Sequence, residues 1–421
     1  MNEKFTEKCS KIKIVLFSAV MVAACIIGLA FYARPTVSEN EKRELTKFPK
    51  FTVESFLSGE YTSQISLWFA DTYPLREPMI GANATLSQLY GIKDEQIVGG
   101  GNADDIPTGP SDIEFNPTDN GGGTGIEGLY LNGNTAYQLY FFNQQNSNSY
   151  VSLINTFASQ VKGKAKVYNM IVPLHCEIAM SEQTLGKYNA SSCDDAIKYM
   201  YSHLSNDVTS VDVTPTLKEH NGEYLYFRTD HHWTARGAYY AYVEFCKQKG
   251  ITPTPLEDYK RQQFDGFLGT FYENKGLKHP AAMKSDPDFV EAFVPIGTNI
   301  AILYDKNGNV EDADYRVVFP KVSNANKYLC FLGGDHPLLE IHNPAINDGS
   351  SIVVIKESYG NAFVPFLVDS YEHVYVLDYR YWSGHLADFV TDKGIDDVLF
   401  LNVVNNTSTA ERLNELNSII K

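Results

Sequence analysis

The stretch Ser351-Ile352-Val353-Val354-Ile355-Lys356-Glu357-Ser358-Tyr359-Gly360-Asn361 decides how the fold is read. Ile352 to Ile355 form an unbroken β-branched apolar run with no polar face. Such a run fits a strand buried on both sides, the usual state of a parallel strand beneath helices. A helix is expected to follow it. A serine just past the C-terminal end of a buried parallel strand lies where open α/β sheets place their reactive groups. Backbone N–H groups at the start of the next helix can face an oxyanion. Ser is also a preferred helix N-cap, so this segment alone leaves Ser358 as either a nucleophile or a cap.

The same pattern recurs on either side. Val167 to Val172 is a β-rich apolar run ending at Pro173, and Val374 to Leu377 and Asp397 to Leu401 repeat it. Ser192–Ser205 reads as helix and Val211-Asp212-Val213 as a short strand. Thr234 caps a helix that runs to about Lys249 and stops at Gly250. Strands alternating with helices predict an α/β domain with a mostly parallel sheet covered on both faces. Residues 251–350 are less regular, with β-like pieces at Ile300–Tyr304, Tyr315–Val318 and Tyr328–Leu332. There is no internal repeat.

Three further segments carry chemistry. In Tyr226-Phe227-Arg228-Thr229-Asp230-His231-His232-Trp233-Thr234, an acid and two imidazoles sit between a strand-like run and a helix cap. An Asp two residues before a His can accept the Nδ1 hydrogen and leave the other ring nitrogen as a base. Neighbouring His residues on a strand point to opposite faces and rarely share one ion, so no metal is expected. The run Asp378-Tyr379-Arg380-Tyr381-Trp382 follows another strand at the same sheet edge. Arg380 there offers a fork for a substrate group, with aromatic rings to stack on sugars, although an ordinary ion pair with aromatic packing fits the spacing equally. Leu332-Gly333-Gly334-Asp335-His336 holds either an oxyanion donor at Gly334 or a simple turn, and His336 is a second imidazole.

Composition narrows the classes. The chain has 421 residues, is 43% hydrophobic and 13% aromatic, and carries a net charge of −16. Its aromatic content excludes a disordered chain, and a single apolar run excludes a polytopic membrane protein. An acidic chain does not suit a nucleic-acid partner, which needs clustered Lys and Arg. Residues 94–127 carry eight acidic side chains and no Lys or Arg, half of the excess charge. They also contain two triple-glycine runs, which marks a flexible loop. Residues 14–33 are uncharged and long enough to cross a bilayer core of about 30 Å. The expected organisation is a cytoplasmic tail (1–13), a signal-anchor span (14–33), a juxtamembrane helical segment (34–93) whose helix stops near Pro74, the acidic loop (94–127) and one α/β domain (128–421). The domain then lies outside the cytoplasm, on a single-pass protein of the cell membrane. A cleaved signal peptide and lipidation at Cys25 are the competing readings of the first 33 residues. The cysteines make no framework. Cys176 and Cys193 are either a pair or, like Cys246 and Cys330, buried free thiols.

These residues bear a family likeness. Asp230-His231-His232-Trp233 resembles the tetrad that names the DHHW proteins of bacteria. Glu41-Lys42-Arg43-Glu44-Leu45, Phe48-Pro49 and Asp71-Thr72-Tyr73-Pro74-Leu75-Arg76 resemble that family's N-terminal pattern, while the Ser358 and Asp378–Arg380 segments resemble its C-terminal blocks. More distantly, the chain resembles alginate O-acetylation proteins of the SGNH-hydrolase-like group, which have a circularly permuted core. The resemblance implies an SGNH-like (flavodoxin-like) sheet and a triad of Ser358 as nucleophile, His232 as base and Asp230 as its orienting acid. It also implies substrate binding by Arg380 with Tyr359, Trp233 and Tyr381. Gly360, Asn361 and Gly334 become oxyanion donors and His231 the alternative imidazole. Two departures stand out. Glu357 precedes Ser358 where Asp is more usual, and Leu174-His175 replaces a polar, Lys-containing pattern. The implied activity is O-acetyl transfer to a cell-surface glycan, without a cofactor, with a membrane-bound O-acyltransferase supplying the acyl group. A glycan O-acetyl esterase with the same triad and a non-catalytic envelope scaffold remain open.

Overall fold

A computed structural model describes residues 34, 36–38, 43–57, 60–74, 97–98, 104, 106, 128–274, 277, 280–322 and 326–421. The expected tail and membrane span (1–33), and most of the acidic loop, lie outside the described residues. Among the described residues no helix is long and apolar enough to cross a membrane. The chain divides into two compact units, Met1–Asp94 and Glu95–Lys421.

In the first unit, helices Val53–Leu57 and Glu60–Asp71 follow a short antiparallel ladder of Val37–Ser38 with Arg43–Glu44. The second helix ends before Pro74, as its sequence predicts. Its Trp68 ring meets Phe48 edge-on at 4.8 Å, and the Arg34 guanidinium lies 4.2 Å from the Trp68 ring centre.

The second unit is built on one eight-stranded sheet. Its strands are β1 (Lys166–Val172), β2 (Val208–Ser210), β3 (Ile300–Tyr304), β4 (Val310–Arg316), β5 (Leu338–His342), β6 (Ser351–Lys356), β7 (His373–Asp378) and β8 (Asp397–Val403). Their order across the sheet is β4-β3-β5-β7-β6-β8-β1-β2. From β7 to β2 every pairing is parallel, whereas β5, β3 and β4 add an antiparallel flank. All of β6 and β8 is buried, as their apolar runs require.

The register shows that helices cover both faces. Phe400 of β8 pairs with Asn169 of β1, so Tyr168, one residue away, points to the other face. Helix α1 (Gln144–Gln160) places Phe157 on Phe400, while α3 (Ala235–Lys249) places Phe245 on Tyr168. Helix α2 (Cys193–Ser202) packs beside α1, and α4 (Gly360–Leu367) meets α3 through Phe363 and Phe245. Helix α5 (Leu386–Lys393) sets Phe389 against Tyr375, on the α1 face, and α6 (Ala410–Ile420) packs on α1. Thr234 caps α3 and Gly250, at φ 81°, stops it, as the sequence predicts.

The sequence reading needs several corrections here. Tyr328–Leu332 is not a strand. A 3-10 turn spans Lys327–Cys330, and Leu332, Gly333 and Gly334 then adopt positive φ and reverse the chain. The sheet strand in that region is β5, which starts six residues after Leu332. Strand β4 covers Val310–Arg316 and not Tyr315–Val318, because it is an edge strand whose first five residues face solvent and lack apolar alternation. The short strand expected at Val211-Asp212-Val213 is Val208–Ser210 instead. A ribbon that pairs the polar, largely exposed strand Lys260–Phe267 with the mostly buried Asp288–Val294 has no counterpart in the sequence reading. Cys176 and Cys193 are unpaired and buried, like Cys246 and Cys330.

Candidate active site

Because β6, β7, β8 and β1 are parallel, their C-terminal ends share one edge of the sheet. The chain leaves β6 at Lys356 and reaches Ser358 two residues later. The N-cap of α4 is Tyr359, which makes no side-chain cap bond, so Ser358 is not a capping serine. Its hydroxyl meets His232 Nε2 at 2.7 Å. His232 Nδ1 in turn meets Asp230 Oδ1 at 2.5 Å. Three side chains from two segments 126 residues apart thus form one hydrogen-bonded relay.

The protonation states follow from the surroundings. Asp230 is 4% exposed. Burial pushes its carboxyl up, but the charges of His232 and His231, with hydrogen bonds from His232 and the Thr270 N–H, hold it well below the usual carboxylate range. An ionised Asp230 only accepts hydrogen bonds. Nδ1 of His232 must therefore donate, which turns Nε2 toward the Ser358 hydroxyl. The other Asp230 oxygen accepts from the Thr270 N–H (2.8 Å) and hydroxyl (3.1 Å). Gly269 permits this approach, since a Cβ there would fall 2.4 Å from Oδ2.

His231 sits beside the relay and outside it. Its Nδ1 meets the Thr270 hydroxyl at 2.7 Å, and burial together with the neighbouring His232 lowers it to about 4. The side chains of Asp230, His231 and His232 come close enough to suggest a metal triad. The lone pairs of Asp230 and His232 are, however, already engaged with Ser358, Thr270 and one another, which suits proton transfer better than ligation.

Several predicted roles change. Trp233 and Tyr359 are 0% and 1% exposed, so neither offers a ring face to a substrate. They lock the relay: the Trp233 indole N–H donates to the Tyr359 carbonyl (2.9 Å), and the Tyr359 hydroxyl donates to the His231 carbonyl. Arg380 does not present an open fork. Its Nε and Nη2 bind Asp378 at 2.8 and 2.6 Å, and Nη2 also reaches Asp335 at 2.8 Å. Lys356 completes this buried group, with Nζ 2.9 Å from both carboxylates. Tyr381 is 51% exposed, with the Arg380 guanidinium 5.3 Å from its ring centre, and remains available as a platform. The N–H groups expected to hold an oxyanion are also engaged. Tyr359 N–H donates to Glu357 Oε2, Gly360 N–H to the Glu357 carbonyl, Asn361 N–H to the Ser358 carbonyl and Gly334 N–H to the Phe331 carbonyl. The Asn361 side chain binds Asp335 at 2.9 Å. His336 bonds Tyr315 and takes no part in the relay.

Two residues that matter here were not foreseen. Tyr328 stacks on His232 with ring centres 4.0 Å apart and planes 14° off parallel, and its hydroxyl donates to the Ser358 carbonyl at 2.9 Å. It sits in the run misread as a strand. Glu357, noted only as a departure from Asp, is buried. Its Oε2 lies 3.2 Å from the Ser358 hydroxyl, and its Oε1 accepts from the Val403 N–H. Burial pushes its carboxyl up, partly offset by the charge of Arg380.

The family described as DHHW protein matches residues 41–120 and 108–377. The chain belongs to the DHHW family. A DHHW family protein from Eubacterium siraeum DSM 15702, known from its crystal structure, is 31% identical over 70% of this chain and 96% of its own, with a TM-score of 0.63. PatB1 of Bacillus cereus, solved with a sulfonyl adduct, is 19% identical over 70% of this DHHW chain and 98% of its own, with a TM-score of 0.57. A second PatB1 structure covers 66% of this chain and 97% of its own at a TM-score of 0.54. The PatB1 likeness is one of fold: a mixed α/β domain on a large, mostly parallel sheet. No curated protein matches the sequence of this chain.

Proposed function

We propose that this DHHW chain is an extracytoplasmic O-acyltransferase that places an acetyl-type group on a cell-surface polysaccharide through Ser358. The observation that carries the reading is the relay of 2.5 and 2.7 Å that ends on the serine hydroxyl. In this scheme Ser358 Oγ attacks the donor's acyl carbonyl as its proton passes to His232 Nε2. Ionised Asp230 stabilises the imidazolium that results. The Ser358 N–H, which carries no hydrogen bond among the described residues, is the nearest backbone donor for the oxyanion. The tetrahedral adduct collapses and expels the donor's leaving group, which takes the proton from Nε2. A sugar hydroxyl then gives its proton to Nε2 and attacks the acyl-serine, so the ester moves to the glycan and Ser358 is restored.

The wider setting belongs to the same proposal. The core is read as a circularly permuted SGNH-like domain in which Asp230 and His232 precede the serine. The uncharged stretch 14–33 supports a signal-anchor. A membrane-bound O-acyltransferase would then supply the acyl group from the cytoplasmic side. The test is 4-nitrophenyl acetate turnover and sulfonyl fluoride labelling, with and without glycan. Ser358→Ala is expected to lower turnover at least 10³-fold and to abolish the label. Acetate release indifferent to glycan assigns an esterase instead. Turnover unchanged in Ser358→Ala removes the catalytic reading and leaves a scaffold.

A further inference from the structure

The departure at Leu174-His175 opens onto a cleft that the relay does not use. It has a volume of about 170 Å³ and lies between the hairpin Leu129–Asn132/Thr135–Gln138, the turn after β1 and residues 221–228. It belongs to the same edge of the sheet as Ser358, because His175 follows the C-terminal end of β1. Residues 224–228 run directly into Asp230, and the Phe227 N–H donates to the His232 carbonyl at 3.2 Å.

His175 forms the floor. Tyr226 stacks on one side of its ring with centres 5.0 Å apart, and Tyr137 covers it at 4.7 Å. With Tyr226 and Tyr137 against the ring, Nε2 is the ring nitrogen left to meet a ligand. Nδ1 is enclosed and has no hydrogen-bond partner, a state buried polar groups rarely keep. Burial lowers the imidazole to about 3, so it is neutral and offers one donor and one acceptor.

The charged side chains of the wall already have partners. Arg228 pairs with Asp286 at 2.5 Å and Asp288 at 3.0 Å. Glu223 accepts from the Tyr240 hydroxyl at 2.7 Å and meets His220 Nδ1 at 2.9 Å. The hydroxyls of Tyr224 and Tyr226 go to Asp288 and the Pro173 carbonyl. What the cleft presents is His175 Nε2, the Tyr137 hydroxyl and the Asn221 amide. With the Glu223 carboxylate beside them and no spare cation, these mixed donors and acceptors suit sugar hydroxyls and disfavour a phosphate or a uronate. The volume is below the roughly 300 Å³ of ordinary small-molecule sites, so one ring fits and a longer unit does not.

We propose that this cleft binds one uncharged, hydroxyl-bearing sugar residue and so holds the glycan beside Ser358. Only the sugar's role as acceptor rests on the acyl-transfer reading. The test uses the full chain in detergent micelles with cellotriose, chitotriose and trigalacturonate as probes, followed by saturation-transfer NMR and calorimetry. At least one neutral trimer is expected to bind, and trigalacturonate at least ten-fold more weakly. Ala179→Trp, which fills the cleft from its exposed rim, and Asn221→Ala are expected to weaken the neutral trimer at least ten-fold while thermal melting shows both variants folded. The proposal is overturned if Ala179→Trp binds as the parent does, if trigalacturonate is preferred, or if the folded parent binds neither neutral trimer. Ester turnover by Ser358→Ala is scored separately. Loss of sugar binding with Ser358-dependent turnover intact removes the cleft alone, and the reverse pattern removes the relay alone.

Discussion

Asp230 does two things with one carboxylate. One oxygen fixes the His232 tautomer, while the other is held by Thr270 in the space that Gly269 leaves open. Asp230→Asn keeps the size and removes the charge. The amide can then satisfy His232 in the wrong tautomer, with Nε2 protonated and unable to accept from Ser358. Ester turnover is expected to fall by about 10³–10⁴-fold with little change in melting temperature. Turnover within ten-fold of the parent would mean that Asp230 is structural. The Asp-X-His spacing made this pair legible in the sequence. Tyr328 and Thr270 were not legible, because each reaches the site through tertiary folding from a segment with no motif. Trp233 and Tyr359 were assigned to the right place and the wrong task, since sequence does not reveal which face of an aromatic residue is buried.

At the scale of elements, the ends of β6 and β7 and the turn before β5 meet in a buried group of four charges. Lys356 is 1% exposed and Asp378 fully buried. Burial pulls the Lys356 ammonium down, yet Asp335 and Asp378 more than reverse this and keep it charged. Lys356→Met removes one cation and leaves two carboxylates facing Arg380 alone. Breaking a buried pair costs about 3–5 kcal/mol, so urea unfolding should show a loss of that order. A loss below about 1 kcal/mol would mean that Arg380 alone suffices. Legibility at this scale follows burial. β1, β6, β7 and β8 are buried on both faces and announce themselves as apolar runs. β4 and the Lys260–Phe267 ribbon are half exposed, and their polar residues hide them. The turn at Lys327–Cys330 looks apolar because it is buried, and burial alone does not distinguish a turn from a strand.

For the whole molecule, acid is the sensitive direction. His231 and His175 are neutral when folded, lowered to about 4 and about 3 from an ordinary 6.5. Between roughly pH 6.5 and 3 the unfolded chain binds protons that the folded chain refuses, so stability falls as pH drops through that window. Asp230 adds to the loss near the bottom of it, because a carboxyl held low stabilises the fold only above its unfolded pKa. Melting temperature should decline from pH 7 to pH 4, and His231→Gln should decline less steeply, by up to about 1.4 kcal/mol per pH unit for one imidazole. Equal slopes would place the acid sensitivity elsewhere. One feature of the sheet also bears on timing. β8, residues 397–403, is the last strand in the chain, yet it lies between β6 and β1 and joins the serine's side of the sheet to the side built first. Until it is made, the sheet has a gap between β6, which leads into Ser358, and β1. Docking of Ser358 onto His232 is therefore expected to wait on the pairing of residues 397–403, whose two parallel ladders close that gap.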